Sequence, residues 1–463
     1  VSGSLFALLN IAGSGLAAQT AGLDATGQNV ANVNTPGYSR VTANLETTDT
    51  NDSFTGGVVV GGMDRAFSSL TFGAMVTEQG LGGAADARSQ ALAQSESIVA
   101  PTSGSVGDYI NSFFSSIQTL ETAPSDPSAR SGVLAAASQL ATAISATANG
   151  LATQRTGLTT QAQGVAATLN ENLAQIAALN TQIAAARGSG DQPTDLEDQR
   201  DKLVSSVSTA IGAKVLTDVN GDYTLLSSGT ALVCNGTAAT VSVTVNASND
   251  LKITSSLAGG TPSDITQGVT SGTLGGIREA RDSDIASVAT QLDQLAYNLS
   301  TSVNSVQAAG YGLDGVTGRN LFTQPVAVAG AATAMSIDPA VAGNPSAIAA
   351  SSTGAGVPGG NDNAVALAQL ATQPLGGSAS PGDAYASIGS SLGNMASDAN
   401  NEQSLRQATT TQAQTLNSSV SGVSLDQEMT SLDQFQRAYE ASSQVLQTAD
   451  TLLGDLMTSM ANA

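Results

Sequence analysis

Asp195, Glu197, Asp198 and Asp201 crowd carboxylates into one short stretch, with Arg200 and Lys202 interleaved. Carboxylates at such spacing can divide general-acid and general-base work between them. They also stand where a helix should begin. Asp195 is a good N-cap, and Asp198, three residues on, lies near the positive end of the helix dipole. The basic neighbours offer ion pairs, so a structural role is the preferred reading. Asp218-Val219-Asn220-Gly221-Asp222 opens like a calcium loop. Tyr223 then occupies the sixth position, where Gly is needed, and Gly229 the twelfth, where a bidentate Glu is needed. A hairpin turn is preferred. Gly310-Tyr311-Gly312-Leu313-Asp314-Gly315 has the dinucleotide glycine spacing but follows a predicted helix, not a strand, and reads as a turn. Cys234 is the only cysteine; it lies in the apolar run Ala231-Leu232-Val233-Cys234 and is expected as a buried strand thiol. The chain has no histidine, which excludes a Ser-His-Asp triad and His-ligated zinc. No Walker loop occurs. No catalytic, cofactor-binding or metal-binding residue is assigned, no cofactor is called for, and the expectation is a protein that is not an enzyme.

Bulk properties narrow the class. The 463 residues allow roughly three domains of about 150 residues each. Aromatics make up only 3% and Trp is absent, so long helices and small β units suit the chain better than one bulky core. A formal net charge of −22 repels nucleic acid and anionic lipid, and neither nucleic acid nor membrane is expected as a partner. No uninterrupted apolar run reaches the ~18 residues of a membrane span. The N-terminus lacks the Lys/Arg of a secretory signal, so any export is expected to use a route without a cleaved signal.

The elements that would position these residues are dominated by the two ends. From Val1 to Ser39 the only ionisable side chain is Asp24. Leu5, Leu9, Ala12, Leu16, Gln19, Leu23, Thr26, Val30 and Val33 step by four and three, a heptad seam with two polar breaks. Gly13, Gly15, Gly22 and Gly27 lie within it, each costing ~1 kcal/mol against Ala. Such a helix needs a partner, and glycine lets another backbone come close. Pro36-Gly37 should end it in a type II turn, with Tyr38 as an anchor. At the other end Leu425, Leu432, Tyr439, Leu446, Leu453 and Met460 recur every heptad. Phe435, Ala449, Leu456 and Ala463 form a companion track, with Glu428 and Ser442 as exceptions. About 39 residues of helix span about 58 Å, too long for a small domain to bury. The two seams can pair as a coiled-coil stalk. Its assembly interface is assigned to Leu9, Leu16, Leu23, Val30, Leu425, Leu432, Phe435, Tyr439, Leu446, Leu453 and Leu456.

The expected fold class is mainly α with inserted β. Residues 1–45 with 420–463 form the paired, coiled-coil axial domain. A helical middle domain takes 46–205, 270–310 and 384–419, with helix over 86–120, 128–187 and 276–309. A small β domain is inserted at 206–269, where Val241, Val243 and Val245 alternate with Ser242 and Thr244, and Asn220-Gly221 and Asn235-Gly236 mark hairpin turns. Residues 311–383 are Gly/Ala/Pro-rich and read as an irregular or β-containing outer segment.

Asn29-Val30-Ala31-Asn32-Val33-Asn34-Thr35-Pro36-Gly37-Tyr38-Ser39-Arg40 resembles the N-terminal signature of flagellar rod, hook and hook-associated proteins, its turn being Asn32, Asn34, Thr35, Pro36, Gly37 and Tyr38. The runs Ser421-Gly422-Val423-Ser424-Leu425-Asp426-Gln427-Glu428-Met429 and Gln434-Phe435-Gln436-Arg437-Ala438-Tyr439-Glu440-Ala441 resemble the terminal helix of the same group. Internal segments narrow the likeness to the FlgK hook–filament junction family: Ile176 to Ile183, Asp195 to Leu203, Gly275 to Asp282, Leu292 to Ala296, and Asn304. That family often has His where Gln307 stands, and the β insert here looks short. The resemblance implies a structural subunit joining hook to filament, outside the cell, exported by the flagellar type III apparatus. Implied partners are copies of itself in a ring, the hook protein, the second junction protein FlgL, and an export chaperone at the C-terminal helix. Free ends are expected to be largely unfolded before assembly. Alternatives are a hook or rod protein, a secreted acidic adhesin using residues 213–266, or a wall-cutting flagellar enzyme.

Overall fold

The computed structural model describes residues 2–47, 56–218, 221–257, 259–377 and 379–461. Asn220 and Ala463, singled out above, lie outside them. The chain opens with α1 (Ser2–Asn32) and a β-hairpin of β1 (Val41–Thr47) and β2 (Val58–Arg65). The helical body then begins with α2 (Ser69–Val99), α3 (Val106–Thr122), α4 (Pro127–Gly188) and α5 (Thr194–Ile211). Helix was expected without a break over 86–120; instead Pro101 and Gly104 (φ +72°) separate α2 from α3, whose start is closed by a reciprocal Ser105–Asp108 capping box. The hairpin falls where helix was expected. Its register slips by a bulge between Asn44 and Leu45, which curls it over α1.

Helix α4 is the spine: 62 residues, or about 93 Å. Asp126 caps it and Pro127 takes the first turn, where a missing N–H costs nothing. Packed against it is a six-stranded antiparallel meander of β3 (Lys214–Thr217), β4 (Tyr223–Ser227), β5 (Thr230–Cys234), β6 (Thr237–Val245), β7 (Leu251–Leu257) and β8 (Ser263–Asp264). Val241 and Val243 point into the core, whereas Val245 ends the strand exposed. Asn170 of α4 bonds both the N–H (2.7 Å) and the C=O (2.8 Å) of Val241, capping the part of β6 that β5 leaves unpaired. Asn235 takes up φ +52° in the tight β5–β6 turn. Cys234 ends β5 half-exposed rather than buried, paired with Thr237 at the turn end of the sheet.

The chain returns through α6 (Gly272–Glu279), a π-helical turn (Ala280–Asp284) and α7 (Ile285–Ala309). Arg281 in that turn is buried and bonds the carbonyls of Arg155 on α4 (3.0 Å) and Asn249 in the β6–β7 turn (2.7 Å). Among the described residues, 311–380 hold the single turn α8 (Ala331–Ala334), two 3-10 turns (Pro345–Ala347 and Gly354–Gly356), α9 (Asp362–Gln369) and isolated bridges. They are strapped onto the helical body, with the Phe322 ring tilted against that of Phe113, centroids 5.8 Å apart. Side chains of α7 clamp the strap. Asp293 accepts from Gly330 and Ala332, Asn304 bonds Leu321 and Phe322, and Gln307 bonds Ala347 and Ala349. Finally α10 (Pro381–Ser421) runs antiparallel along α2, and α11 (Leu425–Ala461) returns alongside α1.

Candidate assembly interface

The ends of the chain lie together as an antiparallel helix pair. Gly15 faces Ser442, Gly22 faces Phe435 and Asn29 faces Glu428. Small residues carry the contact: Ala12, Ala18, Gly22, Ala25 and Ala449 are buried. At Gly22 the approach is so close that a Cβ would stand 2.5 Å from the Phe435 ring. Glycine here makes room for an aromatic ring of the facing helix.

The seam residues assigned from the heptads flank this contact. Leu9, Leu16, Leu23 and Val30 on α1, and Leu432, Phe435, Leu446, Leu453 and Leu456 on α11, are half-buried. Leu425 and Tyr439 do not enter the seam; they are 48% and 42% exposed. The reason is that α11 turns its companion track toward α1, and the residues that broke that track, Glu428 and Ser442, are contact residues. Outside the pair, Phe6, Leu8, Ile11, Val445, Leu452, Met457 and Met460 are exposed. By length and composition α1 from Leu5 to Asn32 is apolar enough to cross a membrane (mean hydropathy 1.2), but here its inner face is covered by α11.

Below the pair lies a polar joint. Asn29, 1% exposed, uses its whole amide. Its Nδ2 donates to Val41 O (2.8 Å) and Glu428 Oε2 (3.0 Å), and its Oδ1 accepts from the Tyr38 hydroxyl and from Val41 N (each 2.9 Å). Arg40 Nε donates to Glu428 Oε1 (2.6 Å), so this buried carboxylate is both neutralised and bonded. The signature turn holds the group in place. Thr35 N donates to Asn32 O and Tyr38 N to Thr35 O (3.2 Å), with Gly37 at φ +81°, as a type II turn requires. Asn32 Oδ1 also accepts from the Thr35 hydroxyl. Asn34, Thr35, Pro36 and Gly37 are exposed, while Tyr38 is half-buried. Burial, then the charges of Asp198, Asp195 and Glu428, push the Tyr38 phenol up to about 12.

The joint continues into the body. Ser39 N donates to Asp198 Oδ2 (2.9 Å), and Arg65 at the end of β2 bonds Asp198 (2.9 Å) and Asp201 (2.6 Å), with Glu197 3.6 Å away. Burial drives the Asp198 and Asp201 carboxyls above their usual range, opposed by the Ser39 amide at Asp198 and by Arg65 at both. The carboxylate cluster is therefore an ion-pair socket whose main partner is Arg65, not the neighbouring Arg200 and Lys202. Arg200 instead lies 3.5 Å over the Tyr223 ring, and Arg187 takes Glu197 (2.5 Å). Asp195 falls in the first turn of α5; Pro193 holds the cap position and makes no side-chain bond. Asn29, Arg40, Glu428 and Arg65 were not assigned from the sequence. Glu428 was legible only as a polar break in an apolar track.

The remaining chemical motifs are structural. Asp218 and Asp222 bond each other across the β3–β4 turn, and Gly310 ends α7. Among the described residues no group of three or more His, Cys, Asp and Glu side chains is arranged to hold a metal ion.

Three family models match separate stretches of the chain. Residues 92–322 match the family model of the helical domain of flagellar hook-associated protein FlgK. Residues 9–38 match that of flagella basal body rod proteins, and 415–459 that of the C-terminal region of flagellar basal body rod FlgEFG proteins. The chain is 25% identical to flagellar hook-associated protein 1 of Escherichia coli K12, over 97% of this chain and 99% of that one. It is 29% identical to flagellar hook-associated protein 1 of Bacillus subtilis 168, over 99% of each. Its fold is similar to that of the flagellar hook junction protein FlgK from Burkholderia pseudomallei, with a TM-score of 0.67 at 20% identity, covering 76% of this chain and 100% of the other.

Proposed function

The chain belongs to the flagellar hook-associated protein FlgK family, and on that premise we propose that it is a structural subunit of the bacterial flagellum, assembling with copies of itself where hook meets filament. The observation that carries this reading is the uncovered apolar surface of the terminal pair: Phe6, Leu8, Ile11, Val445, Leu452, Met457 and Met460. Each Å² of such surface gains about 25 cal/mol when covered. The buried residues of the pair, Ala12, Ala18, Ala25 and Ala449, are not part of the main core cluster, and sister subunits are the cover. Neighbours along the axis are the hook protein on one side and FlgL on the other, in a ring of copies of the chain. Before export the C-terminal helix is shielded by a chaperone, and the subunit reaches the cell exterior through the flagellar export channel. Its work is mechanical rather than catalytic.

The interface residues are those of the half-buried flanks, Leu9, Leu16, Leu23, Val30, Leu432, Phe435, Leu446, Leu453 and Leu456, together with exposed Leu425 and Tyr439. The signature turn is the bracket that fixes the pair to the body.

Electron microscopy of a strain lacking the protein tests the reading. Hooks without filaments are expected. Absence of hooks would mean a hook or rod component instead. Limited proteolysis of the purified chain tests the state of the ends: cleavage within α1 and α11 should precede cleavage of α4, and equal resistance would overturn the idea that subunits complete the pair.

A further inference from the structure

The glycines of α1 do not by themselves decide how α11 lies against it. In the observed alignment each heptad step forward along α1 is a heptad step back along α11, from Gly15 against Ser442 to Gly22 against Phe435 to Asn29 against Glu428. A slide of one heptad would set Phe435 against Gly15, which offers its ring the same missing side chain, and Ser442 against Leu8. The apolar flanks repeat with the same period and would be re-covered after the slide. The polar contact would not. Glu428 would face Gly22, far from Arg40 and Asn29, and this 1% exposed carboxylate would lose both of its donors. Asn29 would in turn lose the acceptor for one of its amide hydrogens.

We propose that Asn29 and Glu428 select the register of the antiparallel terminal pair, while the small and apolar residues supply adhesion that is indifferent to a one-heptad slide. A buried polar group in an apolar seam acts this way because misalignment strands it without partners. Arg40 makes the selection sharper, since it is tethered to the body through Ser421 O (2.8 Å) and cannot follow Glu428 along the helix. The inference concerns how the chain aligns its own ends and does not depend on the assembly proposed above.

Cysteine pairs read the register in the full-length chain carrying Cys234→Ala. A Cβ at position 15 would lie 3.9 Å from Cβ of residue 442, a spacing suited to a disulfide, so Gly15→Cys with Ser442→Cys reports the observed alignment. Leu8→Cys with Ser442→Cys reports the slide; in the observed alignment those positions are offset by about 10 Å along the axis, beyond disulfide reach. Under mild oxidation the first pair is expected to close and the second not. With Asn29→Leu and Glu428→Leu together, both should close, the second at least tenfold faster than before. The proposal is overturned if the doubly substituted chain still closes only the first pair, or closes neither. It is also overturned if the chain with Asn29 and Glu428 intact closes both pairs or neither.

Discussion

Replacing Gly22 by Ala should have the opposite sign from replacing Gly27 by Ala, although both lie in the same helix and both remove a glycine. An alanine Cβ at 22 would stand 2.5 Å from Cε1 of Phe435 and 2.7 Å from Cδ1 and Cζ, whereas nothing lies within 4 Å of one at 27. Contact between carbons is comfortable at about 3.5–4.0 Å, so the ring or the whole of α11 must retreat by about 1 Å. Overpacking of this kind costs about 1–3 kcal/mol. Both substitutions gain about 1 kcal/mol of helix propensity, which cancels when the two are compared. Gly27→Ala should therefore strengthen the pair by about 1 kcal/mol, and Gly22→Ala should weaken it by up to about 2 kcal/mol. Their difference of about 1–3 kcal/mol is roughly a five- to hundredfold difference in local opening. Amide hydrogen exchange along α1 and α11 reads that opening directly, without requiring the whole chain to unfold in one step. Adding Phe435→Leu should erase most of the difference. If both alanine variants slow exchange equally, the close approach at Gly22 does not hold the pair, and the reasoning fails.

Replacing Leu446 and Leu453 with Asp should block incorporation into the flagellum while leaving circular dichroism of the body intact; filament growth from such a variant would count against the seam. Arg65→Ala leaves Asp198 and Asp201 buried without their main cation and should cost about 3–5 kcal/mol near neutral pH, measured by denaturant unfolding. Because burial already holds both carboxyls above their usual range, they favour the folded state most when protonated, and that contribution fades as pH rises through their folded values. The Arg65→Ala deficit should thus shrink as pH falls; a deficit constant with pH would exclude the ion-pair account. Tyr38 holds its proton more tightly folded than unfolded, so its contribution is complete below about 10, the free phenol value, and is lost as pH rises towards about 12. Phenolate absorbance of a Tyr38→Phe variant, subtracted from that of the parent chain, should show this late step.

What the sequence disclosed was whatever repeats locally. The heptads of α1 and α11, the alternation of Val241 and Val243, and the Pro36-Gly37 stop each follow from the period of one element and its punctuation. Missing were features whose partners are distant along the chain. Nothing near Arg65 announces Asp198 or Asp201, and nothing near Asn29 announces Glu428, because those pairs exist only once the body has brought β2 to α5 and α1 to α11. The β1–β2 hairpin was legible and overlooked: Val58-Val59-Val60 between glycine pairs is a strand signal, outweighed by the helical composition that follows. The strap at 311–383 has no period at all. Its order comes from Asp293, Asn304 and Gln307 on another element, and Gln307 performs that task with both ends of its amide.

The antiparallel arrangement of α1 and α11 also decides where tension would travel. Both helices join the body at the same end of the pair, through residues 33–40 and 422–424. A pull on the far tip is carried by two covalent backbones side by side, and the contacts between the helices bear only the imbalance. A rod built this way is not unzipped by the load it transmits, so those contacts can stay as slight as alanine against alanine.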